Sequence, residues 1–143
     1  MNVPSNITVL LVESRSFYRD LFVQSLGKLG LRGRCILSKD YKDSLAKLAT
    51  IESNGEKLDL IIIEAELSQQ EEGGLKLVEL IRSKSTWEST AVLMVSAEDD
   101  AHKVVKAFEK GVDSYAFKPI DEDALAEKIE FCWRKRKNLG KAS

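Results

Sequence analysis

The chain has 143 residues, with 22 lysines and arginines against 23 aspartates and glutamates, a formal net charge of −1 and 43% hydrophobic residues. Those figures describe one ordinary globular domain and argue against a nucleic-acid or membrane-surface protein held by bulk charge. No apolar stretch reaches the ~18 residues needed to cross a bilayer, and Met1 to Asn6 lacks the charged and apolar regions of a signal peptide, so a cytoplasmic location with no membrane partner is expected.

The first apolar run is Ile7 to Val12, whose Thr8-Val9-Leu10-Leu11-Val12 segment does not alternate polar with apolar and so predicts a central strand covered on both faces. Phe17, Leu21, Phe22, Leu26 and Leu29 then recur at helical spacing, and Gly30 is expected to cap that helix. Cys35 to Leu37 predicts a short strand. Leu45, Leu48 and Ile51 mark a second helix that closes near the Asn54-Gly55 turn signal. Leu58 to Ile63 is a second central strand, followed by a helix carrying Leu75, Leu77, Val78 and Ile81. Trp87, in a polar Ser-Thr-Trp-Glu-Ser turn, is read as a lid over that helix. Ala91 to Val95 and Tyr115 to Phe117 are expected to be shorter or edge strands, separated by a helix with Val104, Val105 and Phe108 that ends at Gly111. The last helix carries Leu125, Ile129, Cys132 and Trp133, with Asp121 as its cap and Glu122 and Asp123 in its first turn.

Strands alternating with helices predict an α/β fold, (βα)5, with a doubly wound parallel sheet and helices on both faces. One domain is expected over residues 1–143, with a core of about 7–135 and a basic tail, 134–143. The Arg134-Lys135-Arg136-Lys137 run opening that tail is read as a solvated helix end. Cys35 and Cys132 lie far apart without CxxC spacing, and a single histidine, His102, leaves no zinc cluster. Both thiols are therefore read as small core hydrophobes.

In open sheets of this kind the working site lies outside the carboxyl ends of the strands. That rule selects Glu13 and Ser14, Glu64 to Glu66, Ser96 and Ala97, and Lys118-Pro119. Glu13, Glu64, Ser96 and Lys118 would bring two carboxylates, a hydroxyl and an ammonium to one pocket. Carboxylates can hold Mg²⁺, while a hydroxyl and a lysine can bind phosphoryl oxygens, so the set suits phosphoryl chemistry. A flavodoxin-like cofactor protein is the remote alternative; it would need a phosphate-binding loop after the first strand, and Glu13-Ser14-Arg15-Ser16-Phe17 contains no glycine.

Three segments carry a more specific signal: Leu58-Asp59-Leu60-Ile61-Ile62-Ile63-Glu64, Val92-Leu93-Met94-Val95-Ser96-Ala97-Glu98 and Gly111-Val112-Asp113-Ser114-Tyr115-Ala116-Phe117-Lys118-Pro119. With these, and with 22 residues from Ser96 to Lys118, the stretch from 7 to 135 resembles the receiver domains of bacterial response regulators, of chemotaxis type and flavodoxin-like fold. The resemblance implies strand order 2-1-3-4-5, a cis bond between Lys118 and Pro119, and a non-enzymatic role in two-component or phosphorelay signal transduction. It implies a histidine kinase or a downstream effector as partner; with a net charge of −1, no nucleic-acid contact is expected within this chain. It places Glu64 at the phosphoacceptor position, Ser96 as switch hydroxyl, Tyr115 as switch aromatic and Lys118 as the site lysine. It also implies an interface on the fourth helix, fifth strand and fifth helix, with Tyr115, Phe117 and Phe131, for a partner or for a homodimer.

The resemblance breaks where the chemistry is most demanding. Receivers normally carry two acids after the first strand and an aspartate after the third; here the matching residues are Glu13 with Ser14, and Glu64. Ser68 stands where a proline is usual, and the loop from Ser68 to Gly74 is longer than common. The pocket charge falls from about −2 to about −1, so Mg²⁺ is expected to bind weakly if at all, through Glu13 and Glu64 with Glu66 as a secondary ligand, and no cofactor is required. Glu66 occupies a position that normally offers only its carbonyl, and its side chain is expected to face solvent. The extra methylene of Glu64 moves its carboxylate by up to about 1.5 Å, a displacement that can cost ~10²-fold in rate. The same reach directs it towards Lys118 and Ser96. Glu64 then either imitates a phosphorylated aspartate in part or is the remnant of a lost site. The expected function is an atypical receiver, a pseudo-receiver acting through protein-protein contacts without ordinary aspartyl phosphorylation. The alternative is a phosphorylatable, Mg²⁺-dependent regulator using Glu64 or another acid.

Overall fold

A computed structural model of the chain describes residues 1–67 and 72–142. In chain order its elements are β1 (Val9–Val12), α1 (Ser16–Lys28), β2 (Cys35–Ser38), α2 (Tyr41–Ser53), β3 (Leu60–Glu64), α3 (Gly73–Ser83), a 3₁₀ turn (Ser85–Trp87), β4 (Ala91–Ser96), α4 (Ala101–Lys110), β5 (Ser114–Phe117) and α5 (Glu122–Ala142). All strand pairings are parallel, in the order β2-β1-β3-β4-β5. This is the flavodoxin-like order expected from the resemblance. Ser68, and part of the loop from Ser68 to Gly74, lie outside the described residues, as does Ser143 of the tail.

Period-two alternation along the strands sends side chains to two separate cores. Val9, Leu11, Leu60, Ile62, Leu93 and Val95 meet Phe22 and Leu26 of α1 and Leu125, Ile129 and Cys132 of α5. Leu10, Val12, Ile61, Ile63, Val92 and Met94 meet Leu48 of α2, Leu77 and Ile81 of α3, and Ala107 of α4. Trp87 is buried in this second core beside α3, as a lid would be. Helix ends follow the expected chemistry. Asp121 accepts from the Ala124 N–H at 2.8 Å to open α5, and Gly111, at φ +113°, closes α4 in a conformation that residues with a Cβ rarely adopt. The Lys118-Pro119 bond is cis.

Several expected burials fail for geometric reasons. β4 is not a short or edge strand: it lies between β3 and β5, and all six of its residues are buried. Phe17, at 70% exposure, and Leu21 leave the predicted stripe of α1, which buries Phe22, Ser25 and Leu26 instead. Val105 and Phe108 are exposed on α4, which buries only Ala107. Cys35 is exposed, since β2 is an edge strand that buries alternate residues, whereas Cys132 sits in the core. Leu45 is exposed on α2.

The basic run near the end of α5 is not simply solvated. Arg136 Nε donates to both oxygens of buried Asp113 at 2.8 Å, and Lys135 Nζ lies 3.6 Å from the same carboxylate. Arg82 Nη2 of α3 and the Val92 N–H of β4 each approach Asp113 Oδ2 at 2.9 Å. Asp113 therefore ties α3, β4 and α5 together just ahead of β5. Among the described residues no helix is long and apolar enough to cross a membrane.

Candidate functional site

β1 and β3 are neighbours with Val12 level with Ile63, so Glu13 and Glu64 emerge side by side at the carboxyl edge of the sheet. Lys118 follows β5, its N–H donating to the Ser96 carbonyl at 2.8 Å. Its side chain runs back under the strand ends, over the Tyr18 ring at 4.1 Å. Lys118 Nζ reaches Glu13 Oε1 at 2.6 Å and Glu64 Oε1 at 3.5 Å, and the three side chains are 4%, 1% and 6% exposed. The other oxygens are also taken. Glu64 Oε2 accepts from the Ser14 N–H at 2.8 Å and from Ser14 Oγ at 2.7 Å, and Glu13 Oε2 accepts from the Arg15 N–H at 3.0 Å. Burial pushes the Glu13 carboxyl above its ordinary value; the bonds from Lys118 and Arg15 act in the opposite direction.

Ser14 explains why a glutamate fits here. A second acid at position 14 would repel the longer side chain at 64, whereas a serine supplies two donors to it, both converging on one oxygen. Sequence reasoning saw at this position only a missing acid. The signal it overlooked is the pairing of changes, a lost acid beside a lengthened one.

Ser96 belongs to a different half of the site. Alternation along β4 carries Met94 and Ser96 to the side of the sheet occupied by Tyr115, whereas Glu64 stays with Lys118. Glu64 consequently reaches Lys118 but not Ser96, and it is Glu66 that meets the serine. Glu66 Oε1 accepts from Ser96 Oγ at 2.7 Å and from the Ala97 N–H at 2.8 Å. The expectation that Glu66 turns to solvent is thus overturned. β3 ends against α3 so closely that a Cβ on Gly74 would lie 2.6 Å from the Glu64 carbonyl oxygen.

The protein itself supplies partners to the carboxylates at this edge of the sheet. Mg²⁺ needs near-octahedral oxygens that are free to turn towards it. Here Glu13 and Glu64 face an ammonium at one end and protein N–H or O–H donors at the other, and Glu66 gives one oxygen, Oε1, to Ser96 and Ala97. Among the described residues no three His, Cys, Asp or Glu side chains are grouped to hold a metal ion.

The aromatic residues expected at a partner face divide by exposure. Phe117 and Phe131 are exposed, and Phe108 of α4 joins them, but Tyr115 is turned inward and only 6% exposed. A groove of about 610 Å³ runs between α4, β5 and α5, lined by Val104, Phe108, Phe117, Phe131 and Lys135, with Tyr115 at its floor.

Comparison with known proteins agrees with this architecture. Residues 9–130 match the family model described as "Response regulator receiver domain". The chemotaxis protein CheY1 of Helicobacter pylori is 29% identical over 126 residues, covering 85% of this chain and 93% of that protein. The Regulator of RpoS of Escherichia coli is 30% identical over 125 residues, 87% of this chain but 34% of that longer protein. A CheY-like receiver domain crystal structure from Methanospirillum hungatei superposes with a TM-score of 0.77 at 21% identity, covering 94% of this chain and 99% of the other, a likeness of fold.

Proposed function

Because the chain belongs to the response-regulator receiver family, a family of two-component signalling modules, we propose that it signals through protein contacts without ordinary phosphorylation at position 64. One observation carries this reading: at the phosphoacceptor position Glu64 Oε2 is held by both the Ser14 N–H and the Ser14 hydroxyl, while Oε1 faces the Lys118 ammonium at 3.5 Å. In-line transfer needs a free nucleophilic oxygen and a metal beside it. Here one oxygen of Glu64 is tied to Ser14, the other looks onto an ammonium, and that ammonium occupies the space between the two glutamates. Glu64 stands in for part of what a phosphoryl group would do, drawing Lys118 inward, although one carboxylate carries less charge and fewer acceptors than a phosphate.

The signal leaves through the α4-β5-α5 face, where exposed Phe108, Phe117 and Phe131 offer apolar area to a histidine kinase, an effector or a second copy. The deciding experiment is incubation with acetyl phosphate and Mg²⁺ followed by intact-mass and peptide analysis. The unaltered protein is expected to gain no phosphoryl group, and the double variant Ser14→Asp, Glu64→Asp to gain one. Robust labelling of the unaltered protein at Glu64 would support the phosphorylatable regulator instead.

A further inference from the structure

We propose that the Glu66 carboxylate is an internal latch: from within the chain it fills the donor pair at the end of β4, the Ser96 hydroxyl and the Ala97 amide, and so fixes the β4-α4 loop with Tyr115 packed inward. The placement follows from sheet register. Glu64 is level with Val95, and the Ala65 N–H donates to the Val95 carbonyl at 2.9 Å, so the backbone after β3 runs on beside Ser96 and Ala97. Residue 66 needs only its own side chain to span the remaining gap.

The contact is a directed one. Two donors converge on a single oxygen, Oε1, at 2.7 and 2.8 Å, the geometry of a charge-assisted pair. Ser96 is fully buried, and its hydroxyl has one further acceptor, the Glu98 carbonyl at 3.1 Å. The hydroxyl has a single proton, and the shorter bond to Glu66 takes it. Nearby lysines do not hold the carboxylate: Lys103 pairs with Glu98, and Lys106 with Glu72 at 2.6 Å. Among the described residues the second oxygen, Oε2, has no hydrogen-bond partner, and neither has the Tyr115 hydroxyl. Glu66 and Tyr115 line one cavity of about 390 Å³ beside Leu67, Leu75 and Met94.

A carboxylate placed for solvation would not set an oxygen between a fully buried hydroxyl and a backbone amide. With those donors taken, an oxyanion from outside must displace Glu66 before it can use them. The latch thus acts on the switch hydroxyl independently of Glu64, which remains bound to Ser14 and Lys118.

The test compares Glu66→Ala, Glu66→Gln and Glu72→Gln by amide hydrogen exchange at Ala97 and by nitration of Tyr115 with tetranitromethane. Ala97 is at the surface, so its amide has little other shelter. Exchange there is expected to speed up by about tenfold or more in Glu66→Ala, and by less in Glu66→Gln, which keeps a neutral acceptor. Tyr115 nitration is expected to rise in the same order, while Glu72→Gln, on the same cavity, changes neither. Ala97 exchange and Tyr115 nitration unchanged in Glu66→Ala would overturn the latch. If that variant does not fold, unchanged values in Glu66→Gln would do so. Both readouts report the contact of residue 66 with 96 and 97, so they read the same whether or not residue 64 takes a phosphoryl group.

Discussion

Lys118 Nζ stands 2.6 Å from Glu13 and 3.5 Å from Glu64, in a cleft where all three side chains are almost wholly withdrawn from water. The ammonium is the only cation that the described ion pairs give to either carboxylate. Removing it leaves two buried acids uncompensated, and breaking such a buried pair costs about 3–5 kcal/mol. Lys118→Met is therefore expected to lose stability of that order in urea unfolding. The double variant Glu13→Gln, Lys118→Met is expected to be less destabilised than the two single changes added together, because Glu13→Gln removes one of the two carboxylates that loss of Lys118 orphans.

Glu13 gives a pH dependence whose sign follows from its burial. The unfolded carboxyl titrates near its ordinary value of 4.5, and the folded one titrates higher. Between the two, the folded state keeps a proton that the unfolded chain has released, so this group's contribution falls as pH rises through that window. Unfolding free energy of the unaltered protein minus that of Glu13→Gln should decline as pH rises from about 4.5 towards the raised value. A difference that grows over the same range would contradict the burial argument.

At the opposite end of the sheet, Asp113 is fully buried and accepts from Arg82, Arg136 and the Val92 N–H. Asp113→Ala strands two largely buried guanidinium groups, and a loss of about 3–5 kcal/mol is expected. Asp113→Asn keeps acceptors without the charge and should lie between the variant and the unaltered protein. Urea unfolding of the two variants measures both, and a loss within error of zero for Asp113→Ala would show that the hub contributes nothing net.

The strand runs were legible because continuous Val-Ile-Leu segments have few other uses in a chain of this composition. The order of strands was legible only through the resemblance carried by the segments around Glu64, Ser96 and Lys118. Exposure was misread at Phe17, Val105 and Cys35, because helical or strand periodicity names a face without saying whether a neighbour covers it. Glu13, Glu64, Ser96 and Lys118 were singled out from the sequence, and the structure places all four at the carboxyl ends of the strands. What escaped was direction: that Glu64, besides the expected Lys118, turns to Ser14 and leaves Ser96 to Glu66 depends on which side of the sheet each position faces, and on a register between β3 and β4 that no local pattern carries. Asp113 escaped for a similar reason, its partners lying 31 residues before it and 23 after it in the chain.

The central claim is that the cleft cannot seat a metal-assisted phosphoryl group on residue 64. Crystals grown with Mg²⁺ and beryllofluoride test it most directly. The account predicts no beryllofluoride on Glu64, Lys118 still bridging Glu13 and Glu64, and Ser14 still bound to Glu64. An octahedral Mg²⁺ between Glu13 and Glu64 with a fluoride adduct on the Glu64 carboxylate would contradict it.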